Sequence, residues 1–233
     1  MATAGLCPVL ATMSIKRIAL AFFLIIGAKA LAAGELLFSD DFERAALGGT
    51  WRVTIPAFTI EQGALKGWQA RSDHGAVGGF KLTRSDGVLE FRFKLAGSKG
   101  FNAVWDDKGY KGSHAGHICR VVVAPTQIRL GDDREGIMRN DIFELRRDPK
   151  RKAEADKLLV GRGANFRAEI EQGRWYQLRI EIAGDEMAVS LDGQPVGRLK
   201  SPGIGHPTKT DFHFTVSGSG ALFDDVRLWA IPP

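Results

Sequence analysis

Two cysteines are all that this 233-residue chain contains, at positions 7 and 119, so a disulfide-stapled miniprotein is excluded. It also has no long hydrophobic run. The one uninterrupted apolar stretch, from Ile18 to Ile26, is about half of the roughly twenty residues that a permanent membrane helix requires. There is no internal repeat, no low-complexity linker and no alternation of strand with helix, which argues against a solenoid and against a parallel α/β sheet. With 44% hydrophobic and 25% charged residues, the composition is that of a globular protein and excludes disorder and collagen.

What is present begins with a targeting pattern. Lys16 and Arg17 precede the apolar run, and Ala30, Leu31 and Ala32 follow it, which is the order of charges, apolar core and small residues in a secretory signal peptide. Cleavage after Ala32 is expected, giving a leader at 1–32, a single domain at 33–233 and a secreted or periplasmic destination. Met13 places the basic pair directly behind an initiator, which makes residues 1–12 candidates for a misassigned start. The leader carries Lys16, Arg17 and Lys29 and no acid, so its removal takes the formal charge from +5 to +2. Cys7 leaves with it, and Cys119, inside an apolar run, reads as a buried small hydrophobe. A nearly neutral exported chain without aromatics among its basic residues is a poor nucleic-acid binder.

Period-two alternation dominates the rest. Leu89, Phe91, Phe93 and Leu95 alternate with Glu90, Arg92 and Lys94, and Tyr176, Leu178, Ile180 and Ile182 alternate in the same way. Met187, Val189 and Leu191 run into Asp192-Gly193, a dipeptide suited to a tight hairpin turn. Phe212, Phe214 and Val216 point one way, and His213 and Thr215 the other, which makes His213 a sheet-surface residue. About a dozen such segments imply two packed antiparallel sheets. One helix is expected at 149 to about 160, capped by Asp148, opened by Pro149, paired as Lys150–Glu154 and Lys152–Asp156, and ended by Gly161. The basic run Arg146, Arg147, Lys150, Arg151 and Lys152 reads as a solvated helix face, with an acidic polysaccharide or anionic surface as the sharper alternative.

Three segments carry a resemblance: Phe38-Ser39-Asp40-Asp41-Phe42-Glu43 at the start, Gly173-Arg174-Trp175-Tyr176 leading to Asp192-Gly193, and Phe223-Asp224-Asp225-Val226-Arg227-Leu228-Trp229 at the end. Their order resembles the concanavalin A-like jelly roll of laminin-G domains and glucanases. Within that superfamily the chain most resembles the secreted 3-keto-disaccharide hydrolases of planctomycete-type bacteria, also called 3-keto-glucoside lyases and 2-hydroxy-glucal hydratases. It resembles a subgroup with Asp73-His74-Gly75, His114-Ala115-Gly116-His117 and Gly203-Ile204-Gly205-His206-Pro207-Thr208-Lys209. The resemblance implies an all-β, two-sheet jelly roll and a carbohydrate or glycoside partner.

Four of the five histidines, His74, His114, His117 and His206, sit in Gly-flanked positions at expected strand ends. Imidazole suits both proton transfer near neutral pH and binding of a divalent metal. On the keto-sugar reading, a ketone at carbon 3 acidifies the carbon 2 proton, and its removal expels the glycosidic oxygen from carbon 1. His117 or His74 is the expected base, with Asp73 as orienter and Lys209 or a metal stabilising the enolate. His114, His117 and His206 are the candidate metal ligands; Trp68 and Trp105 are candidates for stacking on a sugar. Asp41 and Asp225, at the first and last strands, are candidates for a structural calcium site. A family-sixteen glucanase would carry a Glu-x-Asp-x-x-Glu or Glu-x-Asp-x-Glu strand, and no such pattern occurs; Asp141 and Glu144, read as a strand, would face opposite sides. The alternative to an enzyme is a non-catalytic carbohydrate-binding or adhesion module of laminin-G type.

Overall fold

The computed structural model describes Met1 and residues 34–231; the leader pattern, Cys7 and the expected cleavage at Ala32 lie outside the described residues. Two antiparallel sheets make up the sandwich. The first holds β1 (Leu36–Asp40), β3 (Phe58–Glu61), β4 (Ala64–Gly67), β6 (Gly87–Leu95), β11 (Trp175–Ala183), β12 (Glu186–Leu191), β13 (Gln194–Lys200) and β15 (Ala221–Trp229), in the order β13-β12-β11-β6-β15-β4-β3 with β1 also on β15. The second holds β2 (Arg52–Ile55), β5 (Ala76–Lys81), β7 (Ser98–Asp106), β8 (His117–Ala124), β9 (Gln127–Asp132), β10 (Gly163–Arg167) and β14 (Asp211–Gly218), in the order β10-β9-β8-β7-β14-β5-β2.

Alternation fixes which face each sheet buries. Phe91 and Phe93 on β6, Phe101 on β7, Phe214 on β14 and Phe223 on β15 are essentially solvent-free and meet between the sheets. Phe214 stacks on Phe223 at 3.8 Å, and Phe101 meets Phe223 edge-on at 4.9 Å. Each such ring stabilises the fold by roughly 1.5–3 kcal/mol through burial, so the two central strands of either sheet are held firmly. Cys119 lies in the same core, fully buried, and burial pushes its thiol above the usual range.

The excursion between β9 and β10 departs in part from the expected single helix. The 149–160 segment is a 3-10 turn, Pro149–Arg151, with Asp148 accepting from the Lys150 amide at 2.9 Å, followed by α2 (Lys152–Leu158). Lys152 pairs with Asp156 at 2.6 Å as the spacing predicts, but Glu154 takes Arg151 in place of Lys150. A preceding helix, α1 (Asn140–Arg147), carries Asp141 and Glu144, so these two acids are helical and not strand residues. Ile142 and Ala155 are the fully buried anchors of the two helices. No helix among the described residues is long and apolar enough to cross a membrane.

Candidate functional site

Register, more than sequence spacing, assembles the site. On the outer face of the second sheet the ladder pairs Asp211 of β14 with Asp106 of β7, and Asp106 with His117 of β8. The next row across the strands reads Gly79, His213, Val104, Arg120, Gly131 and Gly163. His117 joins this face because of a bulge. Trp105 pairs with Cys119 but Asp106 pairs with His117, so Ile118 is an extra residue on β8. The Ile118 carbonyl is taken by the Asp133 and Arg134 amides, at 2.9 and 3.0 Å, which fixes the bulge. Without it, period-two alternation would send His117 into the core.

Two glycines make the arrangement possible. A Cβ on Gly79 would lie 1.9 Å from the Phe212 carbonyl oxygen and 2.6 Å from the His213 Cβ, so β5 can press against β14 only with glycine there. Gly116 has φ +76, and a Cβ on it would lie 2.2 Å from the Asp107 carbonyl. It turns the chain from the His114–Gly116 turn into β8 and delivers His117.

The result is a cleft of about 580 Å³ lined by, among others, Arg52, His74, Asn102, Asp106, Lys108, His114, His117, Arg120, Asp211 and His213. Asp106, fully buried, is its centre. Asp106 Oδ1 lies 2.5 Å from His117 Nδ1; Oδ2 lies 3.1 Å from His213 Nδ1 and 2.5 Å from Lys108 Nζ. Burial opposes ionisation of Asp106, but the hydrogen bonds and charges of His117 and His213 outweigh it and hold the carboxyl far below the ordinary range. A carboxylate only accepts, so both Nδ1 atoms carry the hydrogen and both Nε2 atoms are left for other partners. Burial pushes His213 below its ordinary value, against the pull of Asp106, and this keeps the ring neutral at pH 7. Asp211 is tied to Arg52 and to the Thr210 hydroxyl.

The sequence-predicted residues divide between this cleft and elsewhere. His74, His114 and His117 line it, with His114 stacked on Phe143 at 4.1 Å and His74 Nδ1 2.7 Å from the Gly75 carbonyl. Asp73 is exposed and bound by Arg71. His206 is elsewhere, its Nε2 2.9 Å from Asp107 and its Nδ1 buried without a partner. It therefore does not join His114 and His117 as a ligand set. Lys209 is also outside, its buried ammonium 3.3 Å from the His206 carbonyl. Trp105 is corrected from sugar contact to core packing, because it falls on the inward phase of β7 and meets Phe212 edge-on at 5.1 Å. Trp68 is half-buried beyond the cleft, its backbone paired with Ala57. Asp41 and Asp225 do share a hollow, but guanidinium groups supply the positive charge there: Arg227 holds Asp225 at 2.8 Å and Arg44 holds Asp40 at 2.6 Å.

The residues that sequence reasoning missed are Asp106 and His213. Strand phase held a usable signal, since Asn102, Val104 and Asp106 alternate with the inward Phe101, Ala103 and Trp105. Among the described residues, Asp106, His117 and His213 are the one trio whose ligand atoms lie close enough, all within 4.8 Å, to share a metal ion. Lys108 already places a cation on the same carboxylate, so a metal would have to displace it.

No protein-family model matches the chain, and no curated protein matches it. Solved structures do. The carbohydrate-binding module CBM66 from Bacillus subtilis is 16% identical over 78% of this chain and 96% of its own, with a TM-score of 0.54. SCLam, a non-specific endo-β-1,3(4)-glucanase from family GH16, is 14% identical over 86% of this chain and 96% of its own, with a TM-score of 0.56. The catalytic domain of a laminarinase from Thermotoga petrophila RKU-1 is 14% identical over 86% and 99%, with a TM-score of 0.54. At such identities what is shared is the fold, a jelly-roll sandwich.

Proposed function

We propose that this is an exported carbohydrate-active protein whose cleft removes the carbon 2 proton of a 3-keto-glycoside and expels the glycosidic oxygen from carbon 1. The observation that carries the reading is one buried carboxylate, Asp106, holding two imidazoles on the floor of a cleft. His213, kept neutral by burial, takes the proton at Nε2, and Asp106 stabilises the imidazolium that forms. The electron pair of the C2–H bond forms the C1–C2 double bond, and the C1–O bond breaks. His117 lies across Asp106 from His213, their rings 5.7 Å apart; it enters the step as the imidazolium, keeps its Nδ1 hydrogen on Asp106 and hands its Nε2 proton to the departing oxygen, so the charge gained by His213 is lost by His117. Lys108, which lines the cleft and sits on the same carboxylate, supplies the cation for the developing enolate charge.

Two other readings are weaker on specific grounds. A retaining glycosidase needs one free carboxylate and one protonated carboxyl. The cleft pair Asp106 and Asp211 stands directly cross-strand, but both oxygens of Asp106 are committed to hydrogen-bond donors and Asp211 is bound by Arg52. A binding module of the aromatic-platform kind needs an open array of rings; of the aromatic side chains at the cleft Phe212 is buried and Phe143 has one face against His114, while Trp105 is in the core and Trp68 is off the cleft.

The test is incubation of the protein with a 3-keto-glucoside and with its unoxidised parent, in heavy water, with and without chelator. Aglycone release is expected from the keto-sugar alone, unchanged by the chelator, with a C1–C2 unsaturated sugar product that gains deuterium at carbon 2 only when water then adds across its double bond. Saturable binding of both sugars without release would assign the cleft to a binding module, and loss of activity on chelation would give the trio to a metal. Export is supported by the leader pattern and is checked by N-terminal sequencing of the secreted chain, with Ala33 expected first.

A further inference from the structure

Arg120 lines the cleft and also a second hollow of about 260 Å³ over β9 and β10, on the same face of the sheet. The floor of that hollow is Gly131 and Gly163, which continue the row begun by Gly79 and His213. Three arginines line it: Arg120, Arg129 and Arg162. Arg120 is 9% exposed and gives its Nε to Asp133 at 2.5 Å, yet its Nη2 is buried without any hydrogen-bond partner. Arg162 reaches only the Ser201 hydroxyl, at 3.2 Å, and neither it nor Arg129 has a carboxylate at ion-pair distance among the described residues.

The two acids of the hollow do not answer this excess. Asp132 is consumed by the Ser201 hydroxyl and by the Gly203 and Glu135 amides. Asp133 is held by the Arg120 Nε through one oxygen, and its other oxygen is buried without a partner, so it takes neither Arg120 Nη2 nor the other two arginines. A buried guanidinium nitrogen without an acceptor is unfavourable, and a carboxylate or sulfate can present two oxygens to its fork.

We propose that this hollow binds an oxyanion group, a carboxylate or sulfate, on the sugar unit beside the one in the histidine cleft, so that the preferred substrate is an acidic glycan. The identity of the ligand as a sugar rests on the carbohydrate reading of the cleft; the oxyanion site itself does not. Gly131 offers a clean block, because a Cβ there meets nothing closer than the Arg120 Cγ at 3.6 Å.

The experiment is calorimetric titration of the wild type, Arg162→Gln and Gly131→Leu with cellobiose, cellobiouronic acid and inorganic sulfate at low and high salt, with thermal melts as the folding control. The acidic disaccharide should bind the wild type about ten-fold more tightly than the neutral one at low salt, and both variants should reduce that preference to roughly unity. Equal affinity for the two disaccharides in the wild type, or a preference that survives in folded Gly131→Leu, overturns the proposal. Sulfate binding that is lost in both variants, with neither disaccharide bound, supports the oxyanion site and overturns the carbohydrate reading.

Discussion

Asp106 and Asp107 are consecutive, and each holds histidine, but they face opposite ways from the end of β7. Asp106 gathers His117, His213 and Lys108 at the floor of the cleft. Asp107 gathers His206 and Thr208, where the Tyr110 ring stands 4.9 Å from the imidazole. The chemistry of the two carboxylate–imidazole contacts is alike, and the side chains are buried to a similar degree. What differs is the space beyond the ring. A cleft of about 580 Å³ lies over the first group, while in the second the free ring nitrogen, His206 Nδ1, is itself buried. An oriented imidazole becomes a catalyst only where a substrate can reach its other nitrogen.

Replacing each aspartate by asparagine is the strongest way to break this contrast. Asp106→Asn removes the charge that fixes both cleft imidazoles, and turnover of a 3-keto-glucoside should fall about a thousand-fold while circular dichroism still shows a folded sandwich. Asp107→Asn should leave turnover within about threefold and lower stability by roughly 1–2 kcal/mol, as loss of a charge-assisted hydrogen bond does. Comparable losses of turnover in the two variants would show that the enclosed pair takes part in the chemistry.

The histidines extend the comparison with a smaller effect. His213→Gln keeps a polar side chain beside Asp106 but removes the base, and a loss of about a hundred-fold in kcat is expected, with KM nearly unchanged. His206→Gln should cost stability and spare kcat. Stopped-flow measurement of aglycone release, paired with urea melts, separates these outcomes.

Much of the fold was legible in the sequence, and less of the site, for a physical reason. Alternation reports which face a residue takes, and it put His213 opposite Phe212 and Phe214 correctly. It does not report which strand lies alongside, and only the β14–β7 ladder shows that the face of His213 is shared with Asp106. The glycine-flanked histidines were a partial guide, since His74, His114 and His117 line the cleft but His206 follows Asp107 away from it. The bulge at Ile118 left no mark in residue type. The helix signals around Asp148 and Pro149 were local and readable, whereas α1 begins at Asn140 behind Arg139, which makes no side-chain cap to announce it.

Acidity offers a finer cut. Burial holds His213 below its ordinary 6.5, so the neutral base persists to lower pH and the acid limb of kcat/KM should have its midpoint below 6.5. Stability follows the same sign. Below 6.5 the unfolded chain takes up a proton that buried His213 resists, so the stabilisation is full above 6.5 and is lost as the pH falls towards the folded value. Asp106, depressed from 3.8, adds a further loss only below that pH. Urea melts from pH 7 to 5 should therefore slope less steeply in His213→Gln than in the wild type; parallel slopes would mean that the ring is not held neutral.

The smallest effect tests the element that joins the two aspartates. The turn His114–Gly116 delivers His117 to Asp106, and the Gly116 carbonyl accepts the Asp107 amide at 2.9 Å. Within it, exposed Ala115 has φ 55, a left-handed conformation that disfavours a side-chain-bearing residue by about 1–2 kcal/mol. Ala115→Gly relieves that strain but gives the unfolded chain more freedom, worth about 0.4–1 kcal/mol in the other direction. The net gain in a chemical melt should lie between about 0 and 1.6 kcal/mol. Turnover should be unchanged, because the Ser113 hydroxyl on the His117 carbonyl, at 2.7 Å, and the Ile118 bulge hold His117 independently of residue 115. A fall in turnover at unchanged stability would mean that the Ala115 methyl, which lines the cleft, touches the substrate, and the catalytic half of the comparison would then extend to the turn itself.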